Sequence, residues 1–407
     1  MVNPQEIFPV QSKPIHKALL VLLAIVAFTL PFKDAFLVNL FIVFAIIVWL
    51  ASNPFRQLFS KRKHYGSLIA VSVFYLLHLF SFLYTNNIQE TFINLETKIS
   101  LLFFPLIFFS GDFTAKQTNF FIKNFVAGCL LCCVLCLSHS AYVSITESRN
   151  YFFYQDLSWF QHPSYLSMYL TFCSVALFHQ ELYSKTARFA LVLFFSVFVV
   201  MLSSKSGIVI QAVFLAAWFV SEYAAKGNYK KLLVFSGSAV LILLAAILFV
   251  PQVKDRFQNV VLAFGAKEID KSATESTAVR MLIWSEAKEL IKEHPLLGVS
   301  PGDANTSLYA KYEQNGLTGA LAKKLNAHSE YFQIGVGLGI LGLLSLFNVL
   351  CLPLFNNKNK LLVFLILIAA VNFITESMLQ TMAGCIFFGY FYGMLCYEKE
   401  VPSTLNS

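Results

Sequence analysis

The chain has 407 residues, 57% of them hydrophobic and only 13% charged, against roughly 25% charged in an ordinary soluble domain. Its mean hydropathy is +0.66. Charge this sparse cannot cover the two or three soluble domains such a length would form, and it excludes disorder, coiled coil and collagen too. The class that remains is an all-α, multi-pass membrane protein.

Apolar segments able to span a bilayer, or nearly so, occur at about 15–31, 35–50, 66–84, 99–110, 120–143, 163–179, 188–203, 206–222, 231–250, 330–353, 360–375 and 381–397. They predict about twelve transmembrane helices. The fourth is short and carries Pro105, so it reads as kinked or only partly spanning. The first is followed by Pro31-Phe32-Lys33-Asp34 rather than by a small-residue cleavage site, and reads as a retained anchor.

The net charge of +8 is unevenly placed. With the N-terminus in the cytoplasm, the inner loops hold sixteen basic residues, among them Arg56, Lys61, Arg62 and Lys63. The short loops on the other side hold four: Lys33, Lys98, Arg149 and Lys205. The positive-inside rule therefore predicts that both termini are cytoplasmic.

One polar segment, Pro251 to His328, falls on the outer side and is too long for a connector. It divides the chain into an N-terminal membrane region of about nine helices (1–250), a loop (251–328) and a C-terminal membrane region of about three helices with a short tail (329–407). The loop carries one amphipathic helix, Thr277 to Glu293. Val279, Leu282, Ile283, Ala287, Leu290 and Ile291 form its apolar stripe, with Glu286, Glu289, Lys292 and Glu293 mostly opposite. Ser276 or Thr277 caps its start and His294-Pro295 stops it. Leu297 to Asp303 reads as turns.

The eight cysteines all lie in apolar stretches, so no disulfide framework is implied. Cys129, Cys132, Cys133 and Cys136 line one helix face, as small residues packing against a neighbouring helix do. No Cys/His zinc spacing appears, and no nucleic-acid module.

The spans look nearly free of carboxylates and lysines, with His78 and His139 as interior polar residues, whereas a flippase or solute transporter predicts a polar path through them. Ionisable residues gather at the outer boundary instead: Glu96, Lys98, Arg149, Asp156, His162, Lys205, Arg280, His328 and Glu376. Lys205, in the tight Ser203-Ser204-Lys205-Ser206-Gly207 hairpin, reads either as a snorkelling side chain or as an anion contact beside free helix amides. Arg280 opposes the dipole of its own helix by a few tenths of a kcal/mol. It reads as a surface arginine or as a two-pronged phosphate receptor. His328, ahead of Gly335-Val336-Gly337-Leu338-Gly339, reads as a capping residue or as a base for a sugar hydroxyl.

Taken in order, Arg280-x3-Trp284, His294-Pro295-Leu296-Leu297-Gly298-Val299-Ser300-Pro301-Gly302-Asp303, His328-Ser329-Glu330-Tyr331 and Gly339-Ile340-Leu341-Gly342 resemble the O-antigen ligase/polymerase superfamily. The likeness covers roughly 190–395, and Glu96-x-Lys98-x-Ser100-Leu101-x3-Pro105 and His162-Pro163-Ser164-Tyr165 are similar to other members.

The resemblance implies a bacterial inner-membrane glycosyltransferase with its site on the periplasmic face. Such an enzyme moves a glycan from undecaprenyl diphosphate to a lipid A-core hydroxyl with inversion, using neither metal nor cofactor. An O-antigen polymerase or a protein O-oligosaccharyltransferase shares that chemistry. The resemblance assigns His328 and Arg280 to catalysis and Lys205 and Arg280 to the diphosphate. Lys205 stands where arginine is common, keeping the charge without the fork. His162, Arg149, Tyr331 and Glu376 are the further substrate-contact candidates. The partners implied are the lipid-linked donor, a glycolipid, glycan or protein acceptor, and membrane lipids.

Overall fold

The computed structural model describes residues 13–32, 35–52, 65–221, 270–274 and 277–397, apart from positions 112, 181 and 358, with a few isolated positions elsewhere. Among the described residues the chain is helical, with no strand. The expected span at 231–250 and the capping candidate Ser276 lie outside them.

The helices are α1 (Pro14–Thr29), α2 (Ala35–Ala51), α3 (Gly66–Phe80), α4 (Ile88–Ser110), α5 (Ala115–Glu147), α6 (Pro163–His179), α7 (Lys185–Met201) and α8 (Lys205–Phe219), then α9 (Thr277–Glu293), α10 (Ala304–Gln314), α11 (Glu330–Asn356), α12 (Lys360–Thr375) and α13 (Met382–Tyr397). Four described segments are long and apolar enough to cross a membrane: Gly66–Leu83, Ile88–Ser110, Ala115–Glu147 and Glu330–Phe355. Shorter apolar helices, such as Lys205–Phe219 and Met382–Tyr397, accompany them.

The fourth apolar segment is longer than its sequence suggests. Its helix begins at Ile88, where Asn87 caps it by accepting from the Glu90 amide at 3.1 Å. The polar first turns, Gln89 to Lys98, dilute the hydropathy that marks the rest. Pro105 lies inside the helix without ending it. The backbone there is packed closely: a side chain at Gly393 of α13 would come within 2.7 Å of the Pro105 Cα. Helices α4 and α13 form the most extensive pairing in the bundle. Between apolar helices in lipid such close approach holds the pair, because there is no water to expel.

The cysteine face packs as its spacing predicts. Cys129, Cys132, Cys133 and Cys136 are fully buried and all eight cysteines are free. The Cys132 thiol points at the Pro31 carbonyl, 3.5 Å away. Of the interior histidines, His78 bonds its own helix through the Phe74 carbonyl at 2.9 Å, and His139 stacks on Trp159 at 4.3 Å.

The loop has a core of its own. Val279, Ile283, Ala287 and Leu290 of α9 pack on Ala304, Leu308 and Tyr312 of α10 and on Val336 of α11. Burying each large apolar side chain there contributes about 1.5–3 kcal/mol. Helix α10 does not stand out in the sequence, because only Ala304, Leu308 and Tyr312 form its buried stripe in a largely polar stretch. It also recruits Glu286, expected on the open face, whose carboxylate accepts from the Asn315 amide at 2.6 Å. Burial pushes that carboxyl above its ordinary value.

Helix α11 breaks at Gly339, where φ is +60°. The turn after α9 repairs the break. Val299 and Ser300 amides donate to the Val336 and Gly337 carbonyls at 2.9 and 3.0 Å, and the Ile340 amide donates to the Pro295 carbonyl at 2.8 Å. Backbone groups freed by a kink in an apolar helix must find such partners. The stretch Pro295–Ser300, which from Leu297 onward reads as turns, is thus the plug that lets α11 bend. The glycines ahead of the break receive the loop rather than a neighbouring span: Gly335 faces Ile291 and Gly337 faces Pro301.

Candidate active site

Five helix ends converge at one end of the bundle: the starts of α6, α8, α9 and α11 and the end of α12. Two of these starts, those of α6 and α8, are capped by side chains. His162 caps α6 with Pro163 in its first turn, its Nδ1 accepting from the Ser164 amide at 3.4 Å. Ser204 caps α8 by accepting from the Gly207 amide. Glu376 follows the last turn of α12, its amide still donating to the Asn372 carbonyl at 2.9 Å.

The Glu376 carboxylate is the centre of the cluster. Its Oε1 accepts from Ser164 Oγ at 3.0 Å and from Arg280 Nη2 at 3.2 Å. His328 Nδ1 lies 3.9 Å from the other oxygen, Oε2, an ion-pair distance. The Glu376 side chain is only 11% exposed. Burial works to raise its carboxyl, but His328, then Arg280 and His162, outweigh that and hold it down at about 2. The site therefore keeps a permanent negative charge facing an imidazole.

Lys205 joins from α8. Its Nζ donates to Thr277 Oγ1 at 2.8 Å, one helical turn before Arg280 on α9. Ser206, beside it, donates to Asn372 Oδ1 at 3.2 Å and ties α8 to α12 one turn before Glu376. The lysine and the arginine thus flank the same helix start, where the amides also favour anions.

His328 is held from several sides. Its own φ is +45°, a conformation that side-chain-bearing residues adopt only when their surroundings fix it. Trp284 Nε1 donates to the Ala327 carbonyl at 3.0 Å. The Ala327 amide donates to Gln333 Oε1 at 3.0 Å, and Ser329 Oγ donates to the Phe373 carbonyl at 3.1 Å. The Arg280-x3-Trp284 spacing gains a physical reason: one turn apart on α9, the first residue reaches Glu376 and the second fixes the backbone beside His328.

Among the sequence candidates, the structure brings together His328, Arg280, Lys205, His162 and Glu376. It does not bring in Arg149 or Tyr331. Arg149 is exposed and pairs with Asp156 at 3.4 Å within its own hairpin, its guanidinium over the Tyr151 ring. A nearer carboxylate has claimed it. Tyr331 donates to the Ala370 carbonyl at 3.1 Å and stacks on Phe347, so it joins α11 to α12 instead.

Sequence reading missed Ser164 and Thr277 as polar partners, since lone hydroxyls leave no pattern. It also placed Lys98 in an outer loop and found almost no charge in the spans. Lys98 lies within α4 at 1% exposure, and Glu330, the first residue of α11, is fully buried. The polar helix start that hid α4 also hid this pair. Among the described residues, no three His, Cys, Asp or Glu side chains group around a space for one metal ion.

Arranged in this way, the cluster can do two things. Two cations beside a helix start can take up negative charge on a leaving diphosphate. An imidazole backed by a carboxylate can accept a proton at its far nitrogen.

No curated protein matches the chain. Residues 189–347 match the family described as O-antigen ligase. That stretch contains Lys205, Arg280 and His328, whereas His162 and Glu376 come from outside it. That match, over less than half of the chain, supports a likeness to the O-antigen ligase/polymerase superfamily.

Proposed function

We propose that the protein transfers a glycan from undecaprenyl diphosphate to a lipid A-core hydroxyl on the periplasmic face of the inner membrane. The observation that carries this reading is the convergence of Arg280 and His328 on Glu376. It brings a guanidinium, suited to phosphate, and an imidazole, suited to accepting a proton, side by side at one end of an apolar bundle.

In the proposed step the acceptor oxygen forms a bond to the anomeric carbon as the bond from that carbon to the diphosphate oxygen breaks. His328 Nε2 takes the hydroxyl proton, while Glu376 stabilises the charged ring through Nδ1. The electron pair leaves with the diphosphate, whose charge Arg280 and Lys205 receive. Attack in line with the leaving group inverts the anomeric configuration. A glycosidase-like pair of opposed carboxylates is not part of this scheme.

Polymerisation of repeat units and transfer to protein hydroxyls use the same step. They differ in the acceptor, so the experiment separates them. Purified protein in lipid nanodiscs receives a lipid-diphosphate-linked glycan with, in turn, a lipid A-core glycolipid, a second lipid-linked glycan and a hydroxyl-bearing peptide. Extension of the first alone supports the ligase. Extension of the second or third moves the chain to the polymerase or the protein transferase.

A further inference from the structure

A buried charged pair lies directly beneath the site, and the chemistry above does not use it. Lys98 Nζ donates to Asn94 Oδ1 and to Gln380 Oε1, each at 3.2 Å. The amide nitrogen of the same Gln380 donates to Glu330 Oε1 at 3.1 Å, and Glu330 Oε2 accepts from the Leu379 amide at 2.7 Å. Gln380 thus offers its oxygen to the ammonium and its nitrogen to the carboxylate. Its orientation is fixed by the two charges on either side of it.

Such a pair is costly to place among apolar helices, where charged residues commonly serve function. Its place in the chain says what it orders. Glu330 comes two residues after His328, and Gln380 four residues after Glu376. The two short segments 328–330 and 376–380 run past each other and are joined at several points: His328 near Glu376, Ser329 on the Phe373 carbonyl, Glu330 on Leu379 and Gln380. Lys98 ties that assembly to α4 from below.

We infer that Lys98, Gln380 and Glu330 are positioning residues that set the spacing between His328 and Glu376 for glycan transfer. The inference rests on the proposed reading of those two residues. It makes the buried pair a ruler for the dyad rather than a store of stability, since apolar residues of similar volume can replace a buried ion pair with no loss of fold.

That replacement is the test. The double variant Lys98→Met/Glu330→Leu removes both charges while keeping volume, and Gln380→Met removes the bridge alone. Each is compared with wild type by thermal melting, by steady-state transfer, and by the imidazole 15N resonances of His328 in protein labelled at histidine. The expected result is a near-normal melt for the double variant, a kcat lowered about 10- to 100-fold as for a displacement of about 1 Å, an unchanged donor KM, and displaced His328 ring signals in both variants. Wild-type kcat or wild-type ring signals in a folded variant overturns the inference. The ring signals need no turnover. Absence of transfer from wild type therefore counts against the proposed function, while the ring signals alone still decide on the positioning role.

Discussion

Arg280 and His328 meet on opposite oxygens of one carboxylate, Nη2 at 3.2 Å from Glu376 Oε1 and Nδ1 at 3.9 Å from Oε2. One carboxylate therefore faces both the guanidinium and the imidazole. The consequence for Arg280 is that its charge is partly matched before substrate arrives. Its side chain is 24% exposed and only Nη2 contacts Glu376. A diphosphate would meet the remaining edge of the fork.

Arg280→Ala is expected to weaken donor use by at least the 1.5–3 kcal/mol of a charge-assisted contact, about 10- to 100-fold in kcat/KM for the donor. Arg280→Lys should recover part of that, because it keeps the charge and loses the fork. Donor titration of kcat/KM for the three proteins checks both.

Glu376→Gln tests the electrostatics by acid stability. The carboxyl is depressed from 4.5 to about 2 in the folded protein. A depressed carboxyl contributes stability that is fully present above its unfolded value and is lost as pH falls through the folded one. The wild type should therefore lose thermal stability between about pH 4.5 and pH 2, and the glutamine variant should lose less over that window. Melting in detergent at stepped pH reads the difference.

Gly339→Ala is expected to destabilise the site from a distance. A side chain there would lie 2.5 Å from the Leu296 carbonyl, and the φ of +60° disfavours any substitution. The cost should be about 1–3 kcal/mol. Because the same turn anchors α9, donor affinity should fall with the melting temperature. A lower melt with unchanged donor affinity would separate the break from the site.

Transfer should persist in EDTA, since the proposed scheme gives the leaving-group charge to Arg280 and Lys205. Complete loss of transfer, restored by magnesium or manganese, would overturn that assignment.

Much of this was legible before any coordinates. The helical class, the amphipathic helix Thr277–Glu293 and the gathering of His162, Lys205, Arg280, His328 and Glu376 at one boundary follow from hydropathy and position. What stayed hidden has physical causes. Lys98 sits in a polar helix start, so a hydropathy window ends before reaching it. Glu330 follows a histidine at an apparent boundary and looks solvated, although the fold buries it completely. Helix α10 carries too narrow a stripe to stand out. The break at Gly339 is visible only once Val299 and Ser300 are seen donating into it, because a glycine-rich apolar run reads equally well as helix packing. Arg149 has a partner seven residues away, Asp156, that spacing alone does not rank.

The central claim is that His328, held against Glu376, takes the acceptor's proton during transfer. It is tested most directly by single-turnover transfer from a lipid-diphosphate-linked glycan to a lipid A-core acceptor, comparing wild type with His328→Ala at matched fold and matched donor binding. The account predicts an inverted glycosidic product from wild type and a rate lower by about 10²–10⁴-fold from the variant, with the diphosphate lipid still bound. A well-folded His328→Ala protein that transfers at the wild-type rate would contradict it.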